Sequence, residues 1–358
     1  MNEKDLTRRE FIHIGAVCAG GLVLPEFSPL VPQTQFPEGD QLLARATASI
    51  PAHVQPNPDS QVTEYLYEDE VLIWGREVVG YNPYRYTQRY VETAKGFVWS
   101  PDLQPVYNRP QTAVTELLHT SLGEGMWVEV SVPYVDVILV NPPPRSPWLE
   151  HRMNELGMGP RLYHSQIMWV DQIEVDAEGQ VWYQLKEHFG YGDILKGQAE
   201  AFRQITAEEL SPISSDVTDK YIEVNVQRQT VICYENGRAV YFCRASTGQY
   251  GEDTETPIGE NFTVWRKMVS AHMAGGTVSS GWDTPGIGYC TYFHGSGVAI
   301  HATFWHNAYG ERRSHGCVNV RPEDAKWIFR WSAPQVAYDP GDITVDDYSG
   351  TRIRVVTE

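Results

Sequence analysis

The sequence predicts a mainly β protein built from several compact units. Short aromatic and β-branched runs recur along the chain, its C-terminal third alternates with period two, and Asn236-Gly237 separates two such runs as a hairpin turn. At 358 residues, with 42% hydrophobic and 21% charged content, the chain is long enough for two or three units with modest separate cores. Its 46 acidic residues against 28 basic ones give a formal net charge of -18, which argues against nonspecific attraction to nucleic acid or anionic lipid.

Residues 1–48 read as an export signal and the start of a linker. Thr7-Arg8-Arg9-Glu10-Phe11-Ile12 precedes an apolar stretch from Ile14 to Leu24 that is short for a membrane span and suited to a signal core. The Arg8-Arg9 pair followed by Phe11 and Ile12 resembles a twin-arginine export signal, which implies transport of a folded protein. An ordinary secretory signal leads to the same exported location. Cleavage near Ala44-Arg45-Ala46 or Ala46-Thr47-Ala48, or retention of the signal as a membrane anchor, are alternatives the sequence leaves open. Prolines at 25, 29, 32, 37, 51, 56 and 58 extend this region as a Pro-rich linker through residues 49–60.

Residues 61–124 carry runs such as Val71-Leu72-Ile73-Trp74 and Gly96-Phe97-Val98-Trp99, separated by turn residues, and form a small β module. Residues 125–214 form a second one, with Met126-Trp127-Val128-Glu129-Val130 and Val181-Trp182-Tyr183-Gln184-Leu185. Its Asn141-Pro142-Pro143-Pro144 piece reads as a loop insertion. Both modules resemble bacterial SH3-like modules in their aromatic short strands and a shared closing pattern. They are expected either to recognise cell-wall glycan or peptide, or to position the domain that follows.

Residues 215–358 form a third unit, a mostly antiparallel sheet with one short helix. Tyr221–Val226 and Thr230–Tyr234 alternate, and Asn236-Gly237 leads into Ala239–Phe242. A two-residue hairpin places Cys233 opposite Val240 and sends Cys233 and Cys243 to opposite faces. The five cysteines, Cys18, Cys233, Cys243, Cys290 and Cys317, form no CxxC pair and no evident disulfide scaffold. A helix is predicted from Pro322 to Trp331, with Pro322 at its first position, Glu323 and Asp324 at its positive end, and Ala325, Ile328 and Phe329 on one face.

Chemistry concentrates in His301-Ala302-Thr303 and Arg313-Ser314-His315-Gly316-Cys317-Val318-Asn319. A cysteine attacks a carbonyl as the thiolate, and an imidazole within reach, His301 or His315, can take its proton and later protonate a leaving amine. Gly316 allows a tight turn whose successive N–H groups can face a developing oxyanion.

At these residues the chain resembles the L,D-transpeptidase (YkuD-like) catalytic domain, whose signature is a His, a loop, and Ser/Thr-His-Gly-Cys followed one residue later by Asn or Arg. The resemblance extends over Ser246-Thr247-Gly248, Thr256-Pro257-Ile258-Gly259 and Pro322-Glu323-Asp324-Ala325, from about Thr218 to Val356. It implies Cys317 as nucleophile and His301 as its base, oriented by the carbonyl of Ala302, with His315, Gly316 and Ser314 supporting the site and its oxyanion region. Tyr289, His272, Asn319 and Arg313 are weaker candidates for substrate contacts, His272 in a lid. The implied partners are peptidoglycan stem peptides, as donor and acceptor, and a carbapenem inhibitor; no cofactor and no metal is implied. The implied product is a 3→3 cross-link, with water or a protein amine as alternative acceptors. A His301, His315, Cys317 metal site, a cysteine peptidase and a non-catalytic wall-binding protein are the competing readings. The His-before-Cys order disfavours the peptidase.

Overall fold

The computed structural model describes residues 36–251, 253–275, 282–346 and 348–358. The twin-arginine-like segment and Cys18 lie outside the described residues. The protein is mostly β, and among the described residues no helix is long and apolar enough to cross a membrane.

The first module begins earlier than the sequence predicts. Gly39–Ala46 is the central strand of a three-stranded sheet, between Val71–Ile73 and Leu103–Asn108, and Ile50–His53 pairs with Val62–Leu66 in a five-stranded sheet. The expected linker at 49–60 therefore contains a strand. Prolines obscured it, yet Ala44, Ala46, Ile50 and Ala52 are buried in one cluster with Leu66, Trp74, Val91, Val98 and Leu103. Ala44 and Ala46, near which cleavage is an alternative, lie in the strand that joins its two neighbours.

The second module is a larger antiparallel sheet centred on Ile167–Val175, with Gly123–Val130 and Val181–Lys186 on either side. Its core is not closed off from the third unit. Trp127, Ile167, Trp169, Ile205 and Leu210 belong to the same buried cluster as the third unit's strands and helix, and Trp127 Nε1 donates to Tyr338 O at 3.0 Å.

The third unit has two five-stranded sheets. One runs Arg238–Arg244, Thr230–Glu235, Lys220–Asn225, Arg352–Val356, Gly259–Thr263; the other runs Val318–Val320, Ala299–Ala302, Trp282–Tyr292, Arg266–Gly275, Asp342–Thr344. The helix Pro322–Trp331 forms where predicted, with Pro322 in the first turn and Ala325, Ile328, Phe329 and Trp331 buried. It is fastened to both sheets. Trp327 stacks on Tyr241 with centroids 3.9 Å apart, while the buried Lys267 Nζ donates to the carbonyls of Phe329, Ser332 and Pro334 at the helix end.

The hairpin differs from expectation by one residue. Asn236 and Gly237 both have positive φ, 48° and 75°, as a type I′ turn requires. A bulge between Cys233 and Tyr234 then sets Cys233 opposite Tyr241 instead of Val240, and Cys233 and Cys243 both enter the core as free thiols.

Candidate active site

The site is built on a parallel strand pair. Ala299–Ala302 runs beside Val318–Val320 with Ile300 opposite Val318 and His301 opposite Asn319. Ile300, Ala302, Val318 and Val320 fill the core between the sheets, so the alternate residues His301 and Asn319 take the opposite face. Cys317, one residue before Val318, falls on that face at the level of Ala299.

A tight turn delivers Cys317 there. Gly316 has φ +115°, a conformation an L side chain holds only with strain, and its carbonyl accepts from Thr256 Oγ1 at 2.8 Å. Ser314 Oγ donates to the Cys317 carbonyl and accepts from the Gly316 N–H at 3.2 Å, closing the turn on itself. The Gly316 N–H is thus already engaged, which departs from the expectation that it serves an oxyanion. The N–H groups of His315 and Cys317 have no backbone partner among the described residues.

His301 is buried and donates from Nδ1 to its neighbour's carbonyl, Ala302 O, at 2.8 Å. That bond fixes the tautomer and leaves Nε2 as an acceptor. Burial lowers the His301 pKa to about 4, so the ring is neutral at ordinary pH. Burial also pushes the Cys317 thiol up, to about 11, against a lowering contribution from the Ala299 N–H. No sulfur–nitrogen hydrogen bond joins the two side chains at rest, a common looseness of catalytic pairs without substrate.

The face around them was largely illegible in the sequence. Trp305 lies 5.9 Å from the His301 ring, centroid to centroid, and packs with Met268, Met273, Cys290 and Tyr292. A period-two reading of Cys290 and Tyr292 on their strand could have placed them on one face; nothing in the sequence marks Trp305. His315 is exposed, and its ring stacks on Trp282 with centroids 4.2 Å apart.

The four candidate substrate contacts each have partners within the chain. Tyr289 is 1% exposed and packs against Phe329 on the core side, away from Cys317. Asn319 exchanges backbone bonds with Ser246, and its side chain meets His306 Nε2 at 3.0 Å. His306 Nδ1 accepts from the Ala308 N–H at 3.1 Å, and the Asn319 atom that faces Nε2 is its amide nitrogen. His272 lies between Glu187 of the second module, at 2.7 Å, and Asp283, and the Trp148 N–H donates to the other Asp283 oxygen at 2.7 Å. Burial alone would lower the His272 pKa, but these hydrogen bonds raise it to about 9 and keep the ring charged. Arg313 approaches Asp102 of the first module at 3.5 Å. Among the described residues no three His, Cys, Asp or Glu side chains converge as a metal ligand set.

A β-sheet domain with a cysteine on a Gly turn beside a buried, carbonyl-oriented histidine has the layout of a cysteine acyltransferase. Residues 219–355 match the family model YkuD, described as the L,D-transpeptidase catalytic domain. The protein of Escherichia coli K12 named "Probable L,D-transpeptidase YbiS" is 30% identical over 132 residues, a stretch covering 33% of this chain and 43% of that one. The chain thus spans less than half the length of this curated relative. Similar solved structures include the catalytic domain of the E. faecium L,D-transpeptidase, 28% identical with a TM-score of 0.30, covering 38% of this chain and 97% of that one. Another is the LD transpeptidase LdtMt1 in complex with imipenem, 16% identical with a TM-score of 0.31, covering 51% and 98%.

Proposed function

We propose that this chain is an exported L,D-transpeptidase that forms 3→3 cross-links between peptidoglycan stems through a thioester on Cys317. The observation that supports this most directly is the placement of Cys317 and His301 on one face of the paired strands, with His301 Nδ1 tied to Ala302 O and Nε2 free to accept a proton.

The neutral pair sets the order of events. Cys317 Sγ attacks the carbonyl carbon at the L-centre of the third stem residue while its proton passes to His301 Nε2. The N–H groups of Cys317 and His315 receive the oxyanion; one such donor contributes about 3 kcal/mol to the transition state. The carbon–nitrogen bond then breaks, His301 protonates the departing D-Ala amine, and the thioester remains. An amine of a neighbouring stem attacks it, gives its proton to His301, and expels Cys317 as the thiol.

The Arg8-Arg9 segment is the proposed export address, by the twin-arginine route. The two β modules are proposed to be SH3-like, and the shared core of the second with the catalytic domain supports a positioning role over a freely tethered wall-binding one. Carbapenems are proposed to acylate Cys317. The test is mass spectrometry of products from disaccharide-tetrapeptide incubated with the wild type and with Cys317→Ala. Dimers that vanish in the variant support cross-linking; tripeptide alone identifies water as the acceptor. Neither product, together with a thiol that resists carbapenem, overturns the assignment.

A further inference from the structure

Beside the catalytic turn, between the first β module and the catalytic domain, runs an open groove of about 1170 Å³ lined in part by Arg85, Arg228, Arg244, Arg312 and Arg313. Glu255, outside the lining, approaches Arg312 at 4.0 Å, and among the described lining residues the acids are Asp102 and Glu311, in a chain whose net charge is -18. Both acids are already engaged, Asp102 with Arg313 at 3.5 Å and Glu311 with the Thr87 N–H at 2.7 Å. Arg228 and Arg244 have no ion-pair partner among the described residues. A concentration of guanidinium groups against the overall charge, with two of them uncommitted, suits carboxylates, which match the guanidinium fork.

The groove's location makes it more than a surface patch. Gln249 and Tyr250 form part of its wall, and the Gln249 N–H donates to Ser314 O at 2.9 Å, at the first residue of the Cys317 turn. Arg312 lies over the Tyr250 ring at 4.3 Å and donates to Gly248 O at 3.2 Å, so its charge is held in place beside that turn. Tyr84, Tyr86 and Tyr250 are exposed along the groove, giving flat faces for peptide or sugar. Trp282, stacked on His315, and Trp305, beside the His301 ring, stand outside the lining of this groove.

We propose that this groove binds the carboxylates of the acceptor peptide, the amine-bearing stem that resolves the thioester, and that Arg228 and Arg244 set its specificity; this rests on the transpeptidase reading above. The donor enters on the aromatic side and the acceptor on the arginine side, so one thioester is reached from two directions.

The two half-reactions separate the groove from the function as a whole. In the full chain, the Arg228→Gln, Arg244→Gln double variant is acylated by tetrapeptide donor at the wild-type rate, read as the intact mass of the acyl-enzyme. The KM for a tripeptide acceptor, which cannot act as donor, rises by about ten-fold or more. An acceptor with amidated carboxyls shows no difference between wild type and variant. Salt raised from about 0.05 to 0.5 M weakens acceptor binding in the wild type more than in the variant. An unchanged acceptor KM in a variant that still acylates and cross-links overturns the groove and leaves the transpeptidase reading standing. A wild type that never acylates overturns that reading itself.

Discussion

At Cys317, burial opposes the chemistry the residue is proposed to perform. A thiol with a pKa of about 11 beside an imidazole with a pKa of about 4 is a neutral pair at pH 7, unlike a preformed thiolate–imidazolium. Alkylation of Cys317 by iodoacetamide should therefore climb about ten-fold per unit between about pH 7 and pH 10 without a plateau. A plateau near neutrality would mean the thiolate is stabilised at rest and would remove the need for His301 as base. Gly316 presents a different constraint, because a Cβ there would find Val298 Cγ2 no nearer than 3.4 Å. The space tolerates a methyl group and the φ of +115° does not. Gly316→Ala should then cost about 1–2 kcal/mol of stability and at least ten-fold in the acylation rate, as the turn relaxes and misdirects the Cys317 N–H. Thermal melts and acylation kinetics on the same preparation check both; a variant acylating at the wild-type rate would show that the turn geometry is dispensable.

The loop between His301 and Cys317 is held from outside its own domain. Arg45, only 3% exposed, donates to Phe304 O at 3.0 Å, pairs with Asp69 at 2.6 Å, and lies over the Tyr163 ring on which Phe304 stacks. Asn307 is fastened to Pro101 O at 3.0 Å and Ser100 O at 3.3 Å, and Glu311 to the Thr87 N–H. Replacing Arg45 with Met strands part of the Asp69 charge, although Arg161 still pairs with Asp69 at 2.8 Å. A loss of about 3 kcal/mol is expected by denaturant titration, along with slower acylation measured at a temperature where the variant is folded. Acylation at the wild-type rate would show that the grip on Phe304 does not reach His301. None of this was legible in the sequence, because Arg45 lies in a stretch that reads as signal and linker and its partners are distant along the chain. The helix Pro322–Trp331 was legible, since its proline, acids and apolar spacing are all local. The hairpin turn was legible for the same reason, but the bulge after Cys233 was not, because an extra residue in a strand leaves no mark on composition. Cys317 and its Gly turn could be read as a contiguous motif, with His301 one loop upstream; Trp305, Tyr292 and the locked state of His272 depend on packing between strands and modules.

Across the whole molecule the buried histidines make opposing demands on pH. His301 and His306 are buried, and His164 in the second module half-buried, in their neutral forms, with pKa values lowered to about 4 for His164 and His301 and about 3 for His306. Their folded values lie below the unfolded value of about 6.5, so the unfolded chain binds more protons as pH falls through that window, and stability drops. The slope is at most about 1.4 kcal/mol per pH unit for each histidine. His272 has the opposite sign. Its pKa, raised to about 9 by Asp283 and Glu187 against burial, gives stability that is fully present below about pH 6.5 and lost as pH rises through 9. Because Glu187 belongs to the second module and Asp283 to the strand Trp282–Tyr292 of the third unit, that loss loosens the junction between them. The melting temperature should therefore peak at about pH 6 to 7, with an acid limb already visible at about pH 5.5, before most carboxylates titrate. His272→Gln should lower the peak and flatten the alkaline limb while leaving the acid limb in place. A melting temperature constant from about pH 6.5 to 5 would mean the three histidines are solvated or paired when protonated. His301 would then lack the buried neutral state from which the proposed proton transfer begins.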